Sequence, residues 1–210
     1  MRPCLRGAVG VAALLGAWTA SAADDPPLFV PPPPGSYALP AIDRVHEHML
    51  LGPDGGKAPL LGLAPDQVAL VSFVYRACGD ACPLALATLQ RLDRHLAATP
   101  TLARRVRLVT VSFDPSHDTP ERMGELARGL GPHADWRFLT ARDEASMAAV
   151  LADFGQDALR AGAPDAPAIR HVLKLFLVDA RGDVRNVYSS GFLNDEILWN
   201  DVVTVLGVAR

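Results

Sequence analysis

Residues 68–75 of the chain, VALVSFVY, form a near-continuous apolar run with β-branched and aromatic side chains and no charge. A strand of that composition is buried on both faces, so it has to lie inside a sheet that is covered above and below. The residues after it supply one cover. Pro83 suits a first helical turn, and Ala85, Leu89, Leu92 and Leu96 then fall on one helical face with Gln90, Arg91, Asp93 and Arg94 on the other. The unit repeats at residues 106–113, a second buried strand. Asp118-Thr119-Pro120-Glu121 then starts a helix whose stripe is Met123, Leu126, Ala127 and Leu130, ended by Gly131. A third unit has a short strand at 136–139, a capping-box pattern at Thr140 and Asp143, and the stripe Met147, Val150, Leu151 and Phe154 before Gly155.

Residues 156–170 read as a polar, proline-containing loop. Beyond it, 172–178 is a strong strand, Ala180-Arg181-Gly182-Asp183 a turn and 184–188 its hairpin partner. Asn194 caps a last helix with the stripe Leu198, Val202, Val205 and Leu206, stopped at Gly207. The order βαβαβα followed by ββα predicts an α/β fold. Its central mixed sheet, parallel at first, has helices on both faces and closes with a β-hairpin and a C-terminal helix.

The N-terminus reads as an address. Arg2 and Arg6 precede an uncharged stretch, and Ala20-Ser21-Ala22 is a small-residue cleavage site, so residues 1–22 are expected to be a signal peptide and the mature chain to begin at Ala23. The alternative is an uncleaved anchor, since residues 7–23 carry no charge and approach the length of a short span. Pro26, Pro27 and the run Pro31 to Pro34 make residues 23–40 a proline-rich, semi-rigid linker. Residues 41–210 then form the folded domain, entered through a small hairpin around Pro53-Asp54-Gly55-Gly56.

With 210 residues, half of them hydrophobic, and no internal repeat, one domain is expected. A net charge of -3 without a long basic run excludes nucleic acid as a partner. A periplasmic or exported location follows, with the inner membrane as the anchoring site if the signal is retained.

Export matters for the cysteines, because a thiol outside the cytosol can form and keep a disulfide. Cys4 leaves with the signal, and Cys78 and Cys82 remain. They lie in Cys78-Gly79-Asp80-Ala81-Cys82-Pro83, where a buried strand hands over to a helix, the end of a parallel strand at which ligand and redox sites collect. At a helix start both thiols feel the N-terminal dipole, which favours thiolates for metal binding or disulfide exchange. The i and i+4 Cα atoms of a helix are about 6 Å apart, so a reversible bridge is feasible. A purely structural disulfide is the plain alternative, but a loop this short would contribute only about 2–3 kcal/mol.

For a metal, two thiolates point to Cu(I), which is soft and accepts low coordination, whereas structural zinc needs four ligands. An imidazole would complete the site and could hold Cu(II) as well. The candidates are His46, His48, His95, His117, His133 and His171. His46-Glu47-His48 alternates like a polar strand face and could also bind metal by itself. His95 is expected to be solvated on its helix, and His117 and His133 fall in loops. His171 opens a strand after a loop, so it could reach the thiol end of the sheet; periodicity alone does not choose among them.

Two stretches together resemble the SCO/SenC family. One is Ser72-Phe73-Val74-Tyr75 leading into Cys78-Gly79-Asp80-Ala81-Cys82-Pro83, where that family has C-P-D-x-C-P. The other is Val111-Ser112-Phe113-Asp114-Pro115-Ser116-His117-Asp118-Thr119-Pro120, where it has V-S-x-D-P-x-x-D-T-P. The likeness spans residue 68 to the C-terminus. It implies a thioredoxin-like fold, copper as the bound metal, and a role in assembling the dinuclear copper site of cytochrome c oxidase. On the matching positions it implies Cys78 and Cys82 as thiolate ligands, able to form a disulfide, and His171 as the imidazole ligand. Asp80 is implied as an acidic neighbour and not a ligand. Gly79 replaces the family's usual proline, and Arg170 stands where an acidic residue commonly precedes the histidine.

The expected function is therefore a monomeric copper chaperone without turnover, whose partner is a copper-receiving oxidase subunit or another copper protein. The alternative is an enzyme, a thiol–disulfide oxidoreductase in which Cys78 attacks and Cys82 resolves. A peroxidase is less consistent, because Val74 and Tyr75 occupy the positions where a peroxidatic cysteine commonly has an upstream threonine. A binding module with an inert disulfide is the remaining reading.

Overall fold

A computed structural model describes residues 29–76, 82–156, 159–163, 166–170, 174–189 and 193–207. The chain divides at Val30/Pro31 into two units, and the second, Pro31–Arg210, contains the main sheet. That sheet has eight strands. They are β1 (Asp43–Arg44), β2 (Met49–Leu51), β3 (Lys57–Pro59), β4 (Val68–Val74), β5 (Val106–Ser112), β6 (Trp136–Thr140), β9 (Lys174–Asp179) and β10 (Asp183–Ser189), in the order β1-β10-β9-β4-β5-β6-β2-β3. β4, β5 and β6 are parallel, as the strand-helix alternation predicts, and β9 and β10 close the sheet as an antiparallel hairpin beside β4. Gly182 at φ +81° makes the turn between them, and the Val45 carbonyl lies where a Cβ would go.

Alternation along β4 and β5 sends side chains to two separate cores. Ala69, Val71, Phe73, Val109 and Val111 pack with Met147, Val150 and Leu151 of α4 (Glu144–Asp153). Val68, Leu70, Val106 and Leu108 pack on the other face with three helices: Leu89, Leu92 and Leu96 of α1 (Cys82–Ala97), Met123 of α3 (Pro120–Leu130), and Leu198 and Val202 of α5 (Asp195–Leu206). A one-turn helix, α2 (Pro100–Ala103), leads from α1 into β5. This is the thioredoxin-like architecture expected: a mixed sheet, helices on both faces, a closing hairpin and a C-terminal helix. Three helix ends follow the sequence, but the Thr140–Asp143 capping box does not form: Thr140 is the last residue of β6 and Asp143 is itself the N-cap of α4. Asp143 accepts from the Ser146 amide, Asn194 from Glu196 and Ile197, and Gly131 and Gly207 end α3 and α5 in left-handed conformations.

Three expectations need correction. Residues 156–170 are not a plain loop: they hold β7 (Leu159–Ala163) and β8 (Ala166–Arg170), an antiparallel pair running from Leu159↔Arg170 to Ala163↔Ala166. Alanine, glycine and proline dilute the β-propensity there, but a two-residue connection is hairpin length. Asp93 is not on a solvated face. It is 2% exposed and accepts the amides of His133 and Ala134, which fastens the approach to β6 onto α1. Residues 45–48 lie between β1 and β2 and are not strand, because Glu47 turns to accept the Leu61 and Gly62 amides. His95 is exposed on α1, as expected, and its ring stacks on Trp199 with centroids 4.3 Å apart.

Part of the proline-rich stretch is also fastened. Asn200 Nδ2 donates to the Pro32 carbonyl, the Gly35 amide to Thr204 Oγ1, and the Tyr37 hydroxyl to Asp201 on α5. Asp201 is buried and also accepts the Tyr188 hydroxyl and Asn186 Nδ2. Burial together with this carboxylate pushes the Tyr37 phenol up to about 12, and raises that of Tyr188 as well. The expected signal peptide, residues 1–22, lies outside the described residues.

Candidate metal and thiol site

β4 ends at Val74 and α1 begins at Cys82, so the strand-to-helix junction expected from the sequence is where it should be. Cys78, Gly79, Asp80 and His171 lie outside the described residues. For Cys82 the backbone is described as the first residue of α1, and for Arg170 as the last of β8. The first turn of α1 carries no acidic residue. The first amides of a helix lack intrahelical partners and favour negative charge, and no carboxylate within that turn competes.

Register defines the surroundings. Val74 pairs with Ser112 at the end of β5, and Ser72 with Leu175 near the start of β9. The end of β4, the end of β5 and the beginning of β9 therefore share one end of the sheet. Ser72, Ala85 and Thr88 of α1, and Lys174 line a single narrow crevice there. On the opposite face of the sheet, beside α4, lies an aromatic layer. Phe73 meets Phe154 edge-on at 5.0 Å and Phe176 at 6.1 Å, Phe154 meets Phe176 at 4.9 Å, and Tyr75 tilts against Phe113 at 5.6 Å. Such a layer gives the strand end a stiff floor.

The loop from β5 to α3 brings polar groups to this end that the sequence pattern does not single out. Asp114 and Asp118 are 1% and 2% exposed. Asp118 Oδ2 accepts the Ser112 hydroxyl at 2.6 Å and the Arg76 amide at 3.0 Å. The backbone carbonyl of Asp114 accepts the amides of His117 and Asp118, and His117 Nδ1 lies 3.0 Å from both carboxylate oxygens of Asp114. In the sequence Asp118 reads as part of a helix start, yet Thr119 is the N-cap and Asp118 faces inward. The available signal is the V-S-x-D-P-x-x-D-T-P likeness, which marks the stretch but assigns it no role.

The other histidines have partners of their own. His46 Nδ1 and His48 Nε2 both lie on Asp153 Oδ2, at 3.0 and 2.9 Å, and His133 Nδ1 on Asp93 at 2.9 Å. Burial alone would raise the Asp153 carboxyl, but the His46 amide and the two imidazoles together hold it below the ordinary carboxylate range. Among the described residues no group of three or more His, Cys, Asp and Glu is arranged to hold a metal ion, and no helix is long and apolar enough to cross a membrane. A cavity of about 560 Å³ lies at the opposite end of the sheet, lined by Pro65, Asp66, Arg105, Asp179, Arg181 and Val205, away from the thiol segment.

A family model described as SCO1/SenC matches residues 65–207. Among solved structures, Arabidopsis thaliana ScoI with copper bound superposes with a TM-score of 0.65 at 18% identity, covering 78% of this chain and 99% of that one. BsSco, described as a member of the Sco family of cytochrome c oxidase assembly proteins in which a disulfide switch was identified, gives 0.66 at 22% identity, over 82% and 100% of the two chains. The apo Sco1 protein of Thermus thermophilus gives 0.62 at 27% identity, over 82% and 94%. No curated protein sequence matches the chain.

Proposed function

This chain belongs to the SCO1/SenC family, and on that premise we propose that it carries copper as cargo for assembly of the dinuclear copper site of cytochrome c oxidase. Cys78, Cys82 and His171 are the ligands in this reading. Two thiolates and an imidazole suit Cu(I), and the imidazole also admits Cu(II). The observation that carries the proposal is the pairing of β4 with β9. Cys78 is four residues beyond Val74 and His171 three residues before Lys174. At no more than about 3.6 Å per residue, both are tied within about 15 Å of strand ends that meet at one edge. The copper-bound state of the Arabidopsis thaliana relative supports the choice of metal.

Delivery is a ligand exchange: thiolates of the receiving oxidase subunit replace Cys78 and Cys82 one at a time, and Cu(I) keeps its oxidation state. Export through residues 1–22, a spacer at residues 23–40 and a domain from 41 onward would place this chemistry in the periplasm, free or tethered to the inner membrane. N-terminal sequencing of the exported protein tests this, with Ala23 the expected first residue.

A second reading is favoured by the acid-free first turn of α1 and by the disulfide switch described for BsSco. The Cys78 thiolate attacks a target disulfide and forms a mixed disulfide; Cys82 displaces the target thiol and leaves a Cys78–Cys82 disulfide on this chain. His171→Ala separates the two. Transfer of Cu(I) to an oxidase-subunit fragment should fall by about tenfold or more if copper delivery is the function. Unchanged transfer would remove His171 from the ligand set, and oxidase assembly that survives the loss of copper transfer, with target-disulfide reduction intact, would assign the protein to thiol exchange.

A further inference from the structure

The parallel ladder between β4 and β5 ends where the Phe113 amide donates to the Val74 carbonyl at 3.1 Å. Two residues on, the Arg76 amide has no strand to pair with, and Asp118 Oδ2 accepts it at 3.0 Å. The same oxygen accepts the Ser112 hydroxyl at 2.6 Å. Asp118 is itself held, since its amide donates to the Asp114 carbonyl at 2.8 Å and Thr119 performs the capping of α3 in its place. One buried carboxylate thus ties the last residue of β5 to a residue only two positions before Cys78. A buried carboxylate bonded to a backbone amide and a buried hydroxyl is costly to disturb.

We infer that Asp118 is the positioning residue of the thiol segment: it carries the order of the sheet past the end of β4 and fixes the base from which Cys78 approaches Cys82. This rests on the copper reading for one of its consequences and is independent of it for the other. Chelation of Cu(I) by two thiolates and closure of a disulfide both depend on the effective concentration of one sulfur at the other. An unanchored base lowers both.

The test uses the protein with Asp118→Ala, Asp118→Asn and, as a control of comparable burial elsewhere, Asp93→Ala, all measured below their unfolding transitions. Asp118→Ala is expected to weaken Cu(I) binding about tenfold or more, the range seen when an outer-shell partner of a metal ligand is lost. Asp118→Asn keeps an oxygen to accept the Arg76 amide and should stay within about threefold of the wild type. The copper-free readout is the equilibrium in which the protein disulfide and two glutathione molecules give the dithiol and glutathione disulfide. Asp118→Ala should shift it about tenfold toward the dithiol. If the wild type binds no copper, the copper reading fails while this second equilibrium still decides the role of Asp118.

Both quantities within about twofold of wild type in Asp118→Ala would overturn the inference. So would an equal change in Asp93→Ala, which would mark the effect as general destabilisation. Should Asp118→Ala not fold, Ser112→Ala removes the second donor to the same oxygen and must move both equilibria in the same direction by a smaller factor.

Discussion

The two ends of the central sheet solve the same problem in different ways. At the thiol end, where β4 and β5 stop and β9 starts, buried polar groups form one chain of hydrogen bonds: the Asp114 amide donates to Ser112 Oγ, Ser112 Oγ to Asp118 Oδ2, and Asp118 Oδ2 also accepts the Arg76 amide. At the other end, arginines meet carboxylates in pairs that run from half-exposed to buried. Arg44 pairs with Asp183, Arg181 with Asp179 and Asp183, and Arg185 with Asp179. Ion pairs in water contribute little, whereas buried hydrogen bonds to fixed backbone define a geometry. The contrast is one of kind: a hydroxyl–carboxylate–amide chain holds the end of β4, whereas arginines hold the other end, where buried Arg107 also donates to the Leu61 and Gly62 carbonyls.

Four substitutions sharpen or break that contrast. Phe73→Ala removes the centre of the aromatic layer under the thiol end and should cost about 3–5 kcal/mol in a urea unfolding curve. A loss below about 1 kcal/mol would mean that the layer contributes little to the stiffness of this end. Ser112→Ala takes a hydroxyl from Asp118 and an acceptor from the Asp114 amide, for which about 1–3 kcal/mol is expected from the same measurement. At the other end, Asp153→Asn should cost about 0.5–1 kcal/mol near neutral pH, because the carboxylate is partly solvated.

The pH dependence of that difference has a definite sign. The Asp153 carboxyl is lowered in the folded state, so its contribution is complete above the unfolded value near 3.8 and disappears as the pH falls through the folded value. Wild-type and variant midpoints should therefore converge only below about pH 4. Arg181→Ala, at a side chain 70% exposed, should change stability by no more than about 0.5 kcal/mol. A larger loss would show that the surface pairs act as a network and would erase the distinction between the ends.

What can be read from the sequence follows the same division between local and distant causes. β4, β5 and β9 are legible because burial on both faces leaves an uninterrupted apolar run, and helix ends because Asn194, Asp143 and Gly131 act on neighbours within a turn. The hairpin of β7 and β8 is hidden by Ala161, Gly162, Pro167 and Ala168, residue types that carry little strand preference. Asp93 and Asp118 look like surface acids because the amides that bury them belong to residues about 40 positions away. Of the candidate site, Cys78 and Cys82 stand out through their local spacing at a strand-helix junction. His171 does not: its selection among six histidines comes from family likeness, since a proposed ligand far off in the sequence leaves no periodic trace.

The most direct test of copper carriage by the thiol segment is a Cu(I) titration of the fully reduced protein against a competing chelator, run beside the Cys78→Ser, Cys82→Ser double variant. One tightly bound equivalent is expected for the wild type and none for the variant. One equivalent retained without the two sulfurs would contradict the assignment, and would place the copper of this chain somewhere other than the end of β4.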